Sequence, residues 1–553
     1  MRYSPLVNAA EQLTAKVKTL KILAEAGVIR PMRPSRLVRA AETLLRWGPT
    51  PAGAYRVSAV RRASKPAVID ERGTLTFAEV QRRTNALANA LGERGIAPGD
   101  SVALMCRNHR GIVEATIALS KLGAHALYLN TMFAAPQVTA VCEREQPKAI
   151  IYDSDLAEVV ADAAQGRKRF VAWVEEGDRP EDPSLEQLIA DGDPTEPAPP
   201  PVKSRVIILT SGTTGTPKGA KRSQPKSLQP AAAMFSRIPM RAEQRILVAA
   251  PLFHTWGLGN FQLGMALGSA LILRRRFDPE GTLAAIQEHR AEVLIVVPVM
   301  LQRILELPDE VLDRYDTRSL KIIASSGSAL PGPLATRVMD RFGDILYNLY
   351  GSTEVSWATI ATPKDLRDAP GTAGKPPFGT VVRLYDEEGR EVPQGKSGRI
   401  FVGNDLLFEG YTSGAGKDVI DGLMATGDIG HFDSEGRLFI DGRDDEMIVS
   451  GGENVFPREV EDLLSHHDDI EEVAVIGVDD EEFGQRLRAF VVRREGATLD
   501  EDEVKAYVKR NLASFKVPRD VIFLEELPRN ATGKVLKRVL RDYEAAGARK
   551  SDD

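Results

Sequence analysis

The sequence predicts an α/β chain. It should have a large N-terminal domain of mostly parallel sheets covered by helices, a small β-barrel-like part, and a small α+β C-terminal domain. Three observations predict it. From residue 66 onward, short β-branched apolar runs of buried-strand type alternate with helical patterns, the signature of parallel sheets. Residues 395–440 are rich in strands and turns, with a hairpin turn at 433–436. Beyond Arg443 the pattern shortens to a compact α+β tail. A chain of 553 residues exceeds what one core supports, and length alone suggests roughly three or four folding units.

The first segment, 1–55, is read as a helical basic extension. Residues 5–28 and 35–47 place apolar side chains at helical spacing (Leu13, Val17, Leu20 and Leu23, then Val38, Ala41, Leu44 and Leu45), interrupted at Pro31 and Pro34. Residues 1–65 hold 13 lysines and arginines against 3 glutamates, so this end is strongly basic although the whole chain carries −6. The expectation is an extension packed on the body with solvated arginines. The alternative is peripheral contact of residues 1–47 with an anionic lipid surface.

The large domain, 56–442, begins with a helix over 77–91. A strand over 101–105, a helix over 111–122 and strands over 126–129 and 149–152 follow. An acidic, proline-rich linker at 191–201 precedes the strand Val206-Ile207-Ile208-Leu209. Later strands fall at 246–249, 293–297 and 320–324. The C-terminal domain, 446–553, should hold a helix at 457–465, strands at 472–477 and 488–493, and a helix at 502–512. Net charge gives no case for nucleic acid. Cys106 and Cys142 lack metal-ligand spacing, and no apolar run reaches 18 residues, so a cytoplasmic protein is expected. Assembly into an oligomer is left open.

The strongest chemical signal is the loop Thr210-Ser211-Gly212-Thr213-Thr214-Gly215-Thr216-Pro217-Lys218-Gly219. Its glycines let the backbone approach a ligand, while its hydroxyls and Lys218 offer donors to the oxygens of a polyphosphate. It is not a Walker A loop, because Lys218 precedes a glycine. Further along stand Pro251-Leu252-Phe253-His254, Ser326-Gly327-Ser328, Tyr350-Gly351-Ser352-Thr353-Glu354, Thr426-Gly427-Asp428, Gly442-Arg443-Asp444-Asp445 and Asn530-Ala531-Thr532-Gly533-Lys534.

In this order the motifs resemble the adenylate-forming superfamily of acyl-CoA synthetases, luciferases and carrier-loading adenylation domains, over about residues 55–540. The resemblance implies an AMP-forming acyl-CoA ligase using ATP, Mg²⁺ and coenzyme A. It makes Thr210, Ser211, Gly212, Thr213, Thr214 and Lys218 the phosphate loop. Gly327, Ser328, Asn348, Tyr350 and Gly351 would line the adenine, and Thr353 would donate to the α-phosphate. Glu354 would hold Mg²⁺, and Asp428 would accept the ribose hydroxyls beside Arg443. Lys534 would be the catalytic lysine, bridging carboxylate and α-phosphate. The small domain would be mobile, turning about a hinge at 443–445 centred on Asp445 between the two half-reactions, and Gly452 would then lie against the pantetheine arm.

Pro528 to Lys534 also resembles a site where protein acetyltransferases act on such ligases, which implies modification of Lys534. His254 and the apolar stretch to Leu273 resemble the acyl tunnel of fatty-acyl-CoA synthetases, with His254 on the carboxylate side or holding loops together. Gly257, Gly259, Gly264 and Gly268 are expected to leave room for the chain, with Trp256 or Trp357 capping it. No basic residue stands out for a second carboxylate. The expected substrate is therefore a medium- or long-chain fatty acid. The alternatives are an aromatic or other carboxylic acid, an acyl-AMP ligase loading a carrier protein, and a non-catalytic lipid-binding relative.

Overall fold

The computed structural model describes residues 9–30, 34–48, 50–210, 218–221, 227–408, 410–411, 416–444, 448–450, 453–480, 484–512, 516–530 and 533–547. Two large sheets form the body. One has eight strands, in the spatial order Thr359–Ala361, Leu346–Tyr350, Ile322–Ser325, Val293–Val296, Arg245–Val248, Ala270–Leu273, Pro66–Asp70 and Gly73–Thr76. The other has seven and runs from Gly410–Tyr411 through Lys218–Lys221, Val206–Thr210 and His125–Tyr128 to Lys168–Trp173. Inner strands pair in parallel and antiparallel pairs lie toward the edges, as expected where crossover helices cover both faces. Strands such as Val293–Val296 are buried along their whole length, which accounts for their unbroken apolar sequence.

The part over 381–443 is an antiparallel sheet built around one long strand, Leu423–Phe432, which pairs with Gly398–Gly403, Val419–Ile420 and Leu438–Arg443. The C-terminal unit has its own sheet, centred on Ile470–Asp480 and Gly484–Arg493, with a separate core including Val460, Val475, Phe490 and Val508.

The basic extension is helical, with α1 (Ala9–Glu25) and α2 (Pro34–Trp47), and α3 (Pro51–Arg62) runs across the boundary expected at 55/56. α1 docks through Leu23, and just beyond it the Ala242 amide donates to the Ala26 carbonyl at 2.7 Å. α3 escaped the sequence reading because Pro51 and Gly53 look like breakers. Pro51 instead occupies the first helical turn, where no amide donor is needed, and Thr50 caps the helix by accepting from the Gly53 amide. No described helix is long and apolar enough to cross a membrane.

Candidate active site

Parallel neighbours Ile322–Ser325 and Leu346–Tyr350 set Ser325 opposite Asn348. The segments that leave them, Ser326-Gly327-Ser328 and Gly351-Ser352-Thr353-Glu354, therefore emerge at one edge of the sheet, where α/β folds place ligands. Gly351 is required by a close fold-back: a Cβ there would stand 2.5 Å from the Ser356 carbonyl oxygen and 2.6 Å from the Trp357 Cα. Ser356 holds φ +65° and donates its hydroxyl to the Leu406 carbonyl at 2.7 Å. Ser352 Oγ accepts from the Glu354 amide at 3.3 Å, bracing the loop from inside.

Asp428 arrives from the antiparallel sheet. Thr426-Gly427-Asp428 is part of the strand Leu423–Phe432, with Gly427 at φ +86°. Asp428 is in register with Arg443 on the neighbouring strand. Its Oδ2 accepts from the Tyr350 hydroxyl at 2.5 Å, and its Oδ1 lies 3.7 Å from Arg443 Nη1. Burial holds the Asp428 carboxyl above the usual carboxylate range, opposed by the Tyr350 hydrogen bond and the positive charges of Arg443, Lys534 and Arg458. Burial and then the Asp428 charge push the Tyr350 phenol well above its ordinary value.

Lys534 sits on a tight turn of the C-terminal unit. The Asn530 amide donates to the Lys534 carbonyl at 2.9 Å, and the Lys534 amide donates to Asn530 Oδ1 at 2.9 Å. Gly533 takes φ +75° and lies so close to Val299 that a Cβ would overlap that side chain. Gln302 Nε2 donates to Glu472 Oε1 at 3.3 Å, and Arg529 Nη2 meets the same oxygen at 2.8 Å. These contacts seat the lysine turn against the large domain.

The fourth component is the helix Thr255–Leu267. His254 precedes its first residue, and Thr255 Oγ1 is 3.5 Å from Thr353 Oγ1, so the helix starts against the Tyr350–Glu354 loop. Trp256 is fixed by an indole donation to the Val296 carbonyl at 3.0 Å. The three glycines within the helix and Gly268 just after it do not share one task. Gly257 lets the helix press on the Pro251 carbonyl, Gly264 packs on Leu271, and Gly268 ends the helix at φ +60°. At Gly259 an added Cβ meets nothing within 4 Å, so only this position supports the expectation of space for the acyl group.

One cavity of about 1620 Å³ is lined by His254, Gly259, Gly327, Ser328, Asn348, Tyr350, Gly351, Thr353, Glu354, Asp428, Arg443 and Lys534. Two wall residues carry buried acceptors with no hydrogen-bond partner among the described residues, Asn348 Oδ1 and Asn260 Oδ1. The Asn260 amide is oriented by its Nδ2, which donates to the Trp256 carbonyl at 2.9 Å. Sequence reasoning missed Asn260, and the only signal was a polar residue inside an otherwise apolar run. Ser211, Gly212, Thr213, Thr214, Asp445 and Gly452, with the side chains of Thr210 and Lys218, lie outside the described residues.

Comparison with known proteins agrees with this assembly. A family profile described as AMP-binding enzyme matches residues 55–412, and one described as AMP-binding enzyme C-terminal domain matches 459–534. The chain is 33% identical over 495 residues to a feruloyl-CoA synthase from an Amycolatopsis species, covering 88% of this chain and 98% of that one. It is 34% identical over 483 residues to an indoleacetate–CoA ligase from Aromatoleum aromaticum, covering 85% and 93%. Among solved structures, ATP-bound MatB from Rhodopseudomonas palustris superposes with a TM-score of 0.79 at 28% identity, covering 89% and 98%. The chain belongs to the AMP-binding, adenylate-forming enzymes and, within them, to the AMP-forming acyl-CoA ligases.

Proposed function

We propose that this enzyme joins a ring-bearing apolar carboxylic acid to coenzyme A. A carboxylate oxygen attacks the α-phosphorus of ATP and pyrophosphate leaves; the thiol sulfur then replaces AMP at the acyl carbon. The observation that carries the reading is the continuity of one cavity from Lys534, Asp428 and Arg443 to the apolar face of the helix Thr255–Leu267.

The residues present fit the nucleotide. Asn348 Oδ1 is an unmet acceptor suited to an exocyclic amine, and Asp428 offers carboxylate oxygens to a ribose diol beside the Arg443 cation. Glu354, a carboxylate on the cavity wall next to Thr353, suits Mg²⁺, which takes few carboxylates and completes its shell with phosphate and water. When bound, the metal neutralises phosphate charge. Thr353 is assigned to the α-phosphate, and the 210–219 loop to the outer phosphates. Lys534 offsets the repulsion between the carboxylate and the triphosphate and stabilises charge building at phosphorus. Asp445 and Gly452 keep their assignments to the hinge and the pantetheine arm.

Width favours rings over straight chains. Thr255 and Gly259 are four residues apart on one helix face, so the open space begins about 6 Å from the reacting end. A straight chain leaves that width unfilled, and a ring that carries a hydroxyl would also meet the Asn260 Oδ1 acceptor. The similarity to ligases named for feruloyl and indoleacetate supports the same choice, in place of the fatty acid expected from sequence. Exposed Val38 and Leu45 on α2, beside Arg39 and Arg46, support a secondary role for the extension in touching an anionic lipid surface. The test is pyrophosphate release across aromatic, alicyclic and straight-chain acids, with and without coenzyme A. Ring-bearing acids should lead, with acyl-CoA formed when the thiol is present. Preference for straight chains, or release with no thioester, contradicts the reading.

A further inference from the structure

The channel continues past the helix Thr255–Leu267, and its far wall is made by the N-terminal extension. Ile29, Ala40 and Leu44 line it, joined by Ala54, Val57 and Arg61, which recur at i, i+3 and i+7 along α3 and so share one face. α3 is fastened to the acyl helix by the Ser58 hydroxyl, which donates to the Met265 carbonyl at 2.8 Å, and by Arg62 Nη1, which donates to the Gly268 carbonyl at 3.0 Å. Ile29, Ala40, Leu44 and Ala54 precede residue 55, where the family profile starts, whereas Val57 and Arg61 fall inside it, so only the outer part of this wall lies beyond the matched stretch.

Three arginines meet at that end, and two are engaged. Glu243 Oε1 takes Arg30 at 2.7 Å and Arg62 at 2.9 Å. Arg61 Nη1 donates to the Val28 carbonyl at 3.2 Å, and its guanidinium has no carboxylate within ion-pairing distance among the described residues. Partial burial and the nearby Arg30 charge weaken its hold on its proton, and Glu243 offsets this only partly. A guanidinium has five donors, and a half-buried one lining an apolar channel is short of acceptors. The helix Thr255–Leu267 measures about 16 Å from Thr255 to Ala266, which is the length of channel wall it contributes.

We propose that Arg61 receives an acceptor oxygen at the far end of the acid, so that the substrate has a carboxylate at one end, an apolar body, and a ketone or second carboxylate at the other. This deepens the reading given under Proposed function and rests on it. It also reverses the sequence expectation that no basic residue serves a second polar end.

The test uses the full-length enzyme and two matched pairs, cholanic acid with 3-ketocholanic acid and tetradecanoic with tetradecanedioic acid. The readout is kcat/KM for acyl-CoA formation. The oxygenated member of at least one pair should be favoured about tenfold or more, as expected for a hydrogen bond to a charged donor. Arg61→Gln should bring that ratio to within about threefold of one, and Arg61→Lys should restore part of it. Equal use of both members by the wild type in both pairs, or equal loss on both in Arg61→Gln, overturns the proposal. The wild-type ratios decide alone if a variant folds poorly. Plain acids converted as well as oxygenated ones defeat only this inference, whereas no thioester from any acid defeats the proposed function as well.

Discussion

Gly259→Ala separates channel width from folding. The position lies inside a helix, has no positive φ, and faces open space in the cavity. Replacing an interior helical glycine with alanine should raise stability by about 1 kcal/mol. The same methyl enters the channel one turn from Thr255, where a ring on a short arm must pass. One methylene of mismatch in an apolar pocket is worth about 1–3 kcal/mol, or about 10–200-fold in kcat/KM. Ring-bearing acids should therefore lose about tenfold or more, while straight-chain acids lose less than about threefold. The assay is acid-dependent pyrophosphate release for both classes, with a thermal melt of the same preparation. A higher melting temperature with selective loss supports the reasoning. Equal loss across both classes, or no loss with any ring, refutes it.

Three further outcomes are expected. Burial raises the Asp428 carboxyl above its unfolded value, so its stabilising contribution is complete at acid pH and is lost as pH rises through the raised value. Asp428→Asn should therefore melt higher than wild type near neutral pH, lose that advantage in acid, and bind ATP more weakly; a lower melting temperature near neutrality contradicts the assignment. Asn260→Leu removes the unmet acceptor and should cut the preference for ring-hydroxylated over unsubstituted acids by about fivefold or more, read from kcat/KM ratios. Asp445→Pro should keep acid-dependent pyrophosphate release and lose acyl-CoA formation; normal thioester yield would remove Asp445 from the hinge role.

The chemistry was more legible in the sequence than the geometry. Tyr350, Asp428, Arg443 and Lys534 stand in short motifs that stand out through the family resemblance, since locally Lys534 reads as a surface lysine and Asp428 as a turn former. Their meeting depends on contacts such as Gln302 with Glu472 and Gly533 with Val299, which join distant segments and leave no local mark. The strands were read closely because buried parallel strands are unbroken apolar runs. The helix Thr255–Leu267 was visible only as an apolar stretch, since it buries residues on most sides and shows no amphipathic period. For the same reason Gly259 could not be told from Gly257, Gly264 and Gly268, because spacing does not give side-chain direction. Arg61 was counted with the solvated arginines, and its place on the channel wall became visible only through α3 and its bond from Ser58 to Met265.

The role proposed for Lys534, carried on the C-terminal turn, is to drive the adenylation step from within the shared cavity. The direct measurement is single-turnover acyl-AMP formation by wild type and Lys534→Ala, alongside thioester formation from chemically prepared acyl-AMP and coenzyme A. Losing one preorganised donor predicts a fall of about 10²–10³ in the first rate with the second largely retained. An unchanged adenylation rate in Lys534→Ala would contradict the account.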